Sequence, residues 1–86
     1  MKGTIIDASE LIQKGVDLNV FAYRAQVFYK DGIILNHVKV MQPPNKALND
    51  CYGIVENKDA LDPKRKVMVI RMDDKDIVKV EKLNWN

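Results

Sequence analysis

The run Phe21-Ala22-Tyr23-Arg24-Ala25-Gln26-Val27-Phe28-Tyr29-Lys30-Asp31-Gly32-Ile33-Ile34-Leu35-Asn36-His37-Val38-Lys39-Val40-Met41 decides how this chain folds. Two stretches rich in β-branched and aromatic residues flank Asp31-Gly32. That dipeptide suits a two-residue type I′ turn, because both positions tolerate positive φ. A two-residue turn fixes the register of the whole hairpin. Lys30 then faces Ile33. Tyr29, Val27, Ala25 and Tyr23 pair with Ile34, Asn36, Val38 and Val40, and this face is apolar except for Asn36. It is the expected core face. The opposite face pairs Phe28 with Leu35, Gln26 with His37, Arg24 with Lys39 and Ala22 with Met41. It is polar with a small apolar spot, and it is the expected presenting face.

Working outward from residues 20–41, Gln42-Pro43-Pro44-Asn45 ends the second strand, since proline cannot donate to a central ladder. Lys46 to Cys51 has the spacing of one helical turn, with Leu48, Cys51 and Tyr52 at i, i+3 and i+4. Tyr52 to Glu56 reads as a short strand and Asn57 to Arg65 as a polar loop. Lys66 to Met72 and Ile77 to Lys82 read as a second hairpin. A three-residue loop, Asp73 to Lys75, would place Met68, Ile70, Met72, Val78 and Val80 on one apolar face. Before residue 20, residues 1–6 suit a short strand. A short helix follows, with Asp7 as N-cap, Glu10 at capping-box spacing and Gly15 as its stop.

This inventory predicts a mostly β (α+β) fold. It would be a small antiparallel sheet, or an SH3-like or Sm-like barrel, of four to five strands with one short N-terminal helix. Val69-Ile70-Arg71-Met72-Asp73-Asp74 resembles the second motif of Sm-like proteins. Met72 stands where that family has glycine, the family's first motif is not evident, and no family is assigned.

The chain has 86 residues, enough for one domain with a modest core. One cysteine, Cys51, excludes an intramolecular disulfide, and one histidine beside it argues against a structural zinc site. Self-association is the remaining common source of added stability in so small a domain. No apolar run reaches membrane-span length and no secretory leader is apparent, so a cytoplasmic location is expected. A net charge of +2 is too small to declare a nucleic-acid binder.

Chemistry-bearing clusters are few. Cys51 and His37 have no spacing that brings them together as nucleophile and base. Asp73, Asp74 and Asp76 lack the glycine and distal glutamate of a calcium loop and read as turn residues. No catalytic residue, metal site or cofactor is assigned. The presenting face of the first hairpin is the better candidate: Arg24, Gln26, Phe28, Leu35, His37 and Lys39. Lys64, Arg65, Lys66, Arg71 and Trp85 are secondary candidates. Phe28 and Leu35 suit anchors of a protein contact, with Arg24 as a polar partner. Cations beside an aromatic ring also suit single-stranded nucleic acid. The expectation is a non-enzymatic binding or assembly module, with a second copy or another protein as partner. The alternative is a small nucleic-acid-binding protein using the same face.

Overall fold

The computed structural model describes residues 3–41, 52–56 and 65–83. Along the chain run β1 (Thr4–Asp7), α1 (Ala8–Gln13), β2 (Phe21–Tyr29), β3 (Ile34–Met41), β4 (Tyr52–Glu56), β5 (Lys66–Arg71) and β6 (Ile77–Lys82). The strands form one antiparallel sheet in the order β1-β5-β4-β3-β2-β6. The mostly β, antiparallel expectation with one short helix therefore stands. Among the described residues the strands number six, not four or five. The sheet is open and not a closed barrel, with β1 and β6 at its two edges. The expected Lys46–Cys51 helical turn lies outside the described residues.

The second hairpin is a correction. β5 and β6 do not pair. β5 lies between β1 and β4, and β6 pairs with β2. Val78 stays 62% exposed, and Val80, although opposite Val27 on the side of the sheet that carries Met68 and Ile70, stays 38% exposed and joins neither buried cluster. The reason lies in the connection Met72–Asp76, which is two consecutive turns. Asp74 N–H donates to the Arg71 carbonyl at 3.3 Å, and Ile77 N–H donates to the Asp74 carbonyl at 3.1 Å. Such a connection swings β6 away from β5 and onto the edge of β2.

The same connection shows that the sheet curls. In a flat sheet β5 and β6 would lie four strand spacings apart, about 19 Å. Two turns, each less than about 7 Å end to end, reach about 14 Å at most. Curling closes that gap, and it creates an interior on the hollow side. Ala25, Val27, Tyr29, Val38, Val40 and Ile70 are buried there, with Tyr23, Leu35, Val55, Met68, Met72 and Ile77 packed around them. The space is tight at Gly53. A Cβ at that position would lie 2.6 Å from Val38 Cγ1 and 2.9 Å from Met72 Sδ.

The outer side of the sheet is covered at one end by α1. Ala8, Leu11, Val16 and Leu18 bury themselves against Met41, Ile54, Val67 and Val69. The helix is only six residues long, so this packing, more than intrinsic propensity, holds it. Its stop is the expected Gly15, at φ +89. Gly15 N–H donates to the Ile12 carbonyl and Val16 N–H to the Leu11 carbonyl, both at 3.0 Å. That is a Schellman cap, and Val16 and Leu11 join the same cluster beneath it. Asp7 occupies the N-cap position with extended φ and ψ but makes no side-chain cap bond, so the expected capping box does not form. Asp7 still belongs to β1 opposite Lys66, and its carboxylate pairs with Lys66 Nζ at 3.3 Å.

Candidate interaction surface

The first hairpin forms as expected but with a different loop. Gly32 N–H donates to the Tyr29 carbonyl at 3.0 Å and Tyr29 N–H donates to the Ile33 carbonyl at 2.9 Å. Lys30, Asp31 and Gly32 are therefore a three-residue loop, with Gly32 at φ +88. Asp31 caps it through its side chain, which accepts Ile33 N–H at 3.2 Å. The extra loop residue slips the register by one at this end. Val27 opposes Leu35 and Phe28 opposes Ile34.

A bulge then cancels the slip. Between Ala25 and Val27 the β3 strand carries one residue more than β2, and His37 sits there at φ 54. Beyond it Ala25 opposes Val38, Arg24 opposes Lys39 and Tyr23 opposes Val40, as the sequence predicted. The consequence for the presenting face is specific. Leu35 turns to the hollow side and packs against that cluster, and Ile34 takes its place beside Phe28 on the outer side. Ile34 is 47% exposed.

The six residues of the candidate surface are thus divided. Phe28, Gln26 and Arg24 run along β2 on the outer side. Phe28 lies between Ile34 of β3 and Lys79 of β6, with Lys79 Nζ 5.3 Å from its ring centroid. Gln26 Nε2 donates to Asn36 Oδ1 at 2.7 Å across the bulge. His37 is exposed at the bulge. Arg24 and Lys39 stack over the Phe21 ring at 5.4 and 5.2 Å. Leu35 leaves this face.

Lys39 belongs to a charged knot at the margin of α1's shelter. Its Nζ donates to the Leu18 carbonyl at 3.1 Å and lies 3.4 Å from Glu56 Oε1. Arg65 Nη2 lies 3.6 Å from the same oxygen. All three side chains are about nine-tenths buried, with relative exposures of 13%, 13% and 10%. Neither spacing nor composition announced Glu56 as their partner. The signal available was that Glu56 ends a strand of otherwise apolar residues, just before a polar loop that closes on Lys64-Arg65-Lys66.

The secondary candidates do not form one basic patch. Lys66 pairs with Asp7. Arg71 makes a two-pronged contact with Asp73, Nε to Oδ1 and Nη2 to Oδ2, both at 2.9 Å. The hydrogen bond from Arg71 holds the Asp73 carboxyl below its usual range. Arg71 also lies 5.9 Å from the Tyr52 ring centroid. These residues, with Gly3, Thr4, Val69, Asp74 and Lys75, line an open polar depression of about 620 Å³. Lys64 and Trp85 lie outside the described residues. The turn aspartates hold the chain: Asp74 Oδ1 accepts Asp76 N–H at 2.9 Å, and Asp76 pairs with Lys30 at 3.6 Å. Among the described residues no three His, Cys, Asp or Glu side chains are grouped to hold a metal ion. No helix among them is long and apolar enough to cross a membrane.

The uncovered part of the outer side thus carries an apolar pair, Phe28 and Ile34, beside the Lys79–Glu81 ion pair of 2.9 Å on β6. In comparisons with known proteins, no family model, no curated protein and no solved structure matches this chain.

Proposed function

We propose that this chain is a non-enzymatic, self-associating protein-binding or assembly module that uses the outer face of the 20–41 hairpin. The observation that carries the reading is the Phe28–Ile34 pair, an apolar contact surface left outside both hydrophobic clusters. Aromatic side chains, phenylalanine among them, are enriched at protein contacts, and Ile34 adds exposed apolar surface beside this one. The pairing of the chain's cations favours the same reading over nucleic acid. Lys39 and Arg65 share Glu56, Lys66 meets Asp7, Arg71 meets Asp73 and Lys79 meets Glu81. Cations already engaged by carboxylates release few counterions on meeting a phosphate backbone.

Sedimentation of the wild type and of Phe28→Ala at low and high salt tests this. The expected result is a wild-type oligomer that persists in salt. In Phe28→Ala its dissociation constant should rise about tenfold or more. If Phe28→Ala leaves both oligomeric state and partner binding unchanged, the reading is wrong. Binding of a single-stranded oligonucleotide that weakens steeply with salt would instead favour the nucleic-acid alternative.

A further inference from the structure

β6 is an edge strand whose outer side pairs with nothing among the described residues. Its inner side is fully used. Leu83 N–H donates to the Arg24 carbonyl at 2.9 Å, which fixes the phase of the ladder with β2. Backbone groups alternate along an antiparallel strand. Glu81 and Lys79 therefore direct their N–H and C=O toward β2, and Lys82 and Val80 direct theirs outward. The bulge opposite Tyr29 leaves Val78 as the extra residue at the start of the strand.

Edge strands usually carry charge that deters pairing. The charges of β6 have a different property. Lys79 and Glu81 are opposite in sign, lie on one face and flank Val80 symmetrically. A two-fold axis through Val80 would set Lys79 of one copy directly across from Glu81 of the other, twice. Val80 would meet Val80 on the opposite face, and their outward backbone groups would exchange two hydrogen bonds. Lys82 would stand across from Val78. A one-residue shift of this register sets Lys79 across from Val80 or from Lys82 and destroys the match. The strand is thus complementary to itself in one antiparallel register.

We propose that a second copy of this chain pairs with β6 edge to edge, antiparallel, about a two-fold axis through Val80. This deepens the self-association reading and rests on it. The paired sheets would run β3-β2-β6 into β6-β2-β3, so the two Phe28–Ile34 patches share one continuous face.

The test uses the full chain and sedimentation equilibrium, with the wild type, three β6 variants and Phe28→Ala. The wild type should be dimeric. Val80→Pro deletes an outward N–H and no bond to β2, a place where an edge strand accepts proline. Its dissociation constant should rise about a hundredfold. Lys79→Glu and Glu81→Lys each create two like-charge pairs across the axis and should each weaken the dimer about tenfold or more. Mixed together, those two variants should form a heterodimer of wild-type strength, because every cross-axis pair is again opposite in sign. That mixture keeps the proposal open to refutation if Val80→Pro fails to fold. A mixture no tighter than its components overturns the proposal, as does a folded Val80→Pro that dimerises like the wild type. A wild type that stays monomeric overturns self-association itself. An oligomer sensitive to Phe28→Ala but not to these changes refutes only the β6 edge.

Discussion

The outer side of the sheet has two halves that share a strand framework and differ in cover. Over β1, β5 and β4 the helix and the Val16–Leu18 connector bury Ile54 and Val67 to 0% and 1% exposure. At the hairpin end of β2 and β3 and along β6 no residue belongs to the cluster beneath α1, and Ile34 remains 47% exposed. Both halves place isoleucine or valine on the same side of the same sheet. What separates them is whether a neighbour removes those side chains from water, which is what makes apolar residues stabilising. The covered half holds the fold together, and the bare half is where an interaction would add burial. Lys39, Glu56 and Arg65 mark the frontier between them.

The largest expected effect breaks the comparison at matched chemistry. Ile54→Ala should destabilise by about 3–4 kcal/mol, because it leaves a cavity in a fully packed cluster. Ile34→Ala should cost less than about 0.5 kcal/mol in the monomer. Urea unfolding of both variants checks this, and equal costs would mean that the bare half is also core. Next comes the frontier. Glu56→Ala leaves Lys39 and Arg65 without their shared carboxylate in a mostly buried setting, and should cost about 2 kcal/mol, read as a lower urea midpoint. A loss near zero would place the knot in solvent. The smallest effect concerns the bare half alone. His37→Gly should stabilise by about 0.5–1 kcal/mol, since glycine relieves a left-handed φ at an exposed site. Thermal unfolding would show it as a rise in Tm. A drop would mean that the histidine side chain makes a contact worth more than the strain.

Much of the framework is legible in the sequence because it is local. The hairpin, the inward row Tyr29, Val27, Ala25 and Tyr23, and the Gly15 stop all follow from alternation and turn chemistry. The loop length was not legible, since Gly32 at positive φ serves a two-residue or a three-residue loop equally well. The bulge did leave a trace. Leu35, Val38 and Val40 turn inward with two consecutive polar residues, Asn36 and His37, in the first gap, and strict alternation cannot place all three on one face. The partners of β1 and β6 were hidden for a different reason. Sequence proximity favoured β5 with β6, whereas β6 pairs with β2, some fifty residues earlier, and no local pattern encodes such a choice. The candidate surface inherits both limits. Leu35 was misplaced by the loop, and the carboxylate beside Lys39 comes from another strand.

The His37 bulge gives the chain a spare residue. Pairing before it and after it is complete without it, as Val27–Leu35 and Ala25–Val38 show. Removing that one position would leave Gln26 facing Asn36 in an uninterrupted ladder, with every inward side chain of β3 still inward. Losing a residue from the Val38–Met41 stretch would instead turn Lys39 or its neighbours the wrong way. Length variation in related hairpins should therefore gather at this site, the one joint in β3 where the strand can shorten without being rewritten.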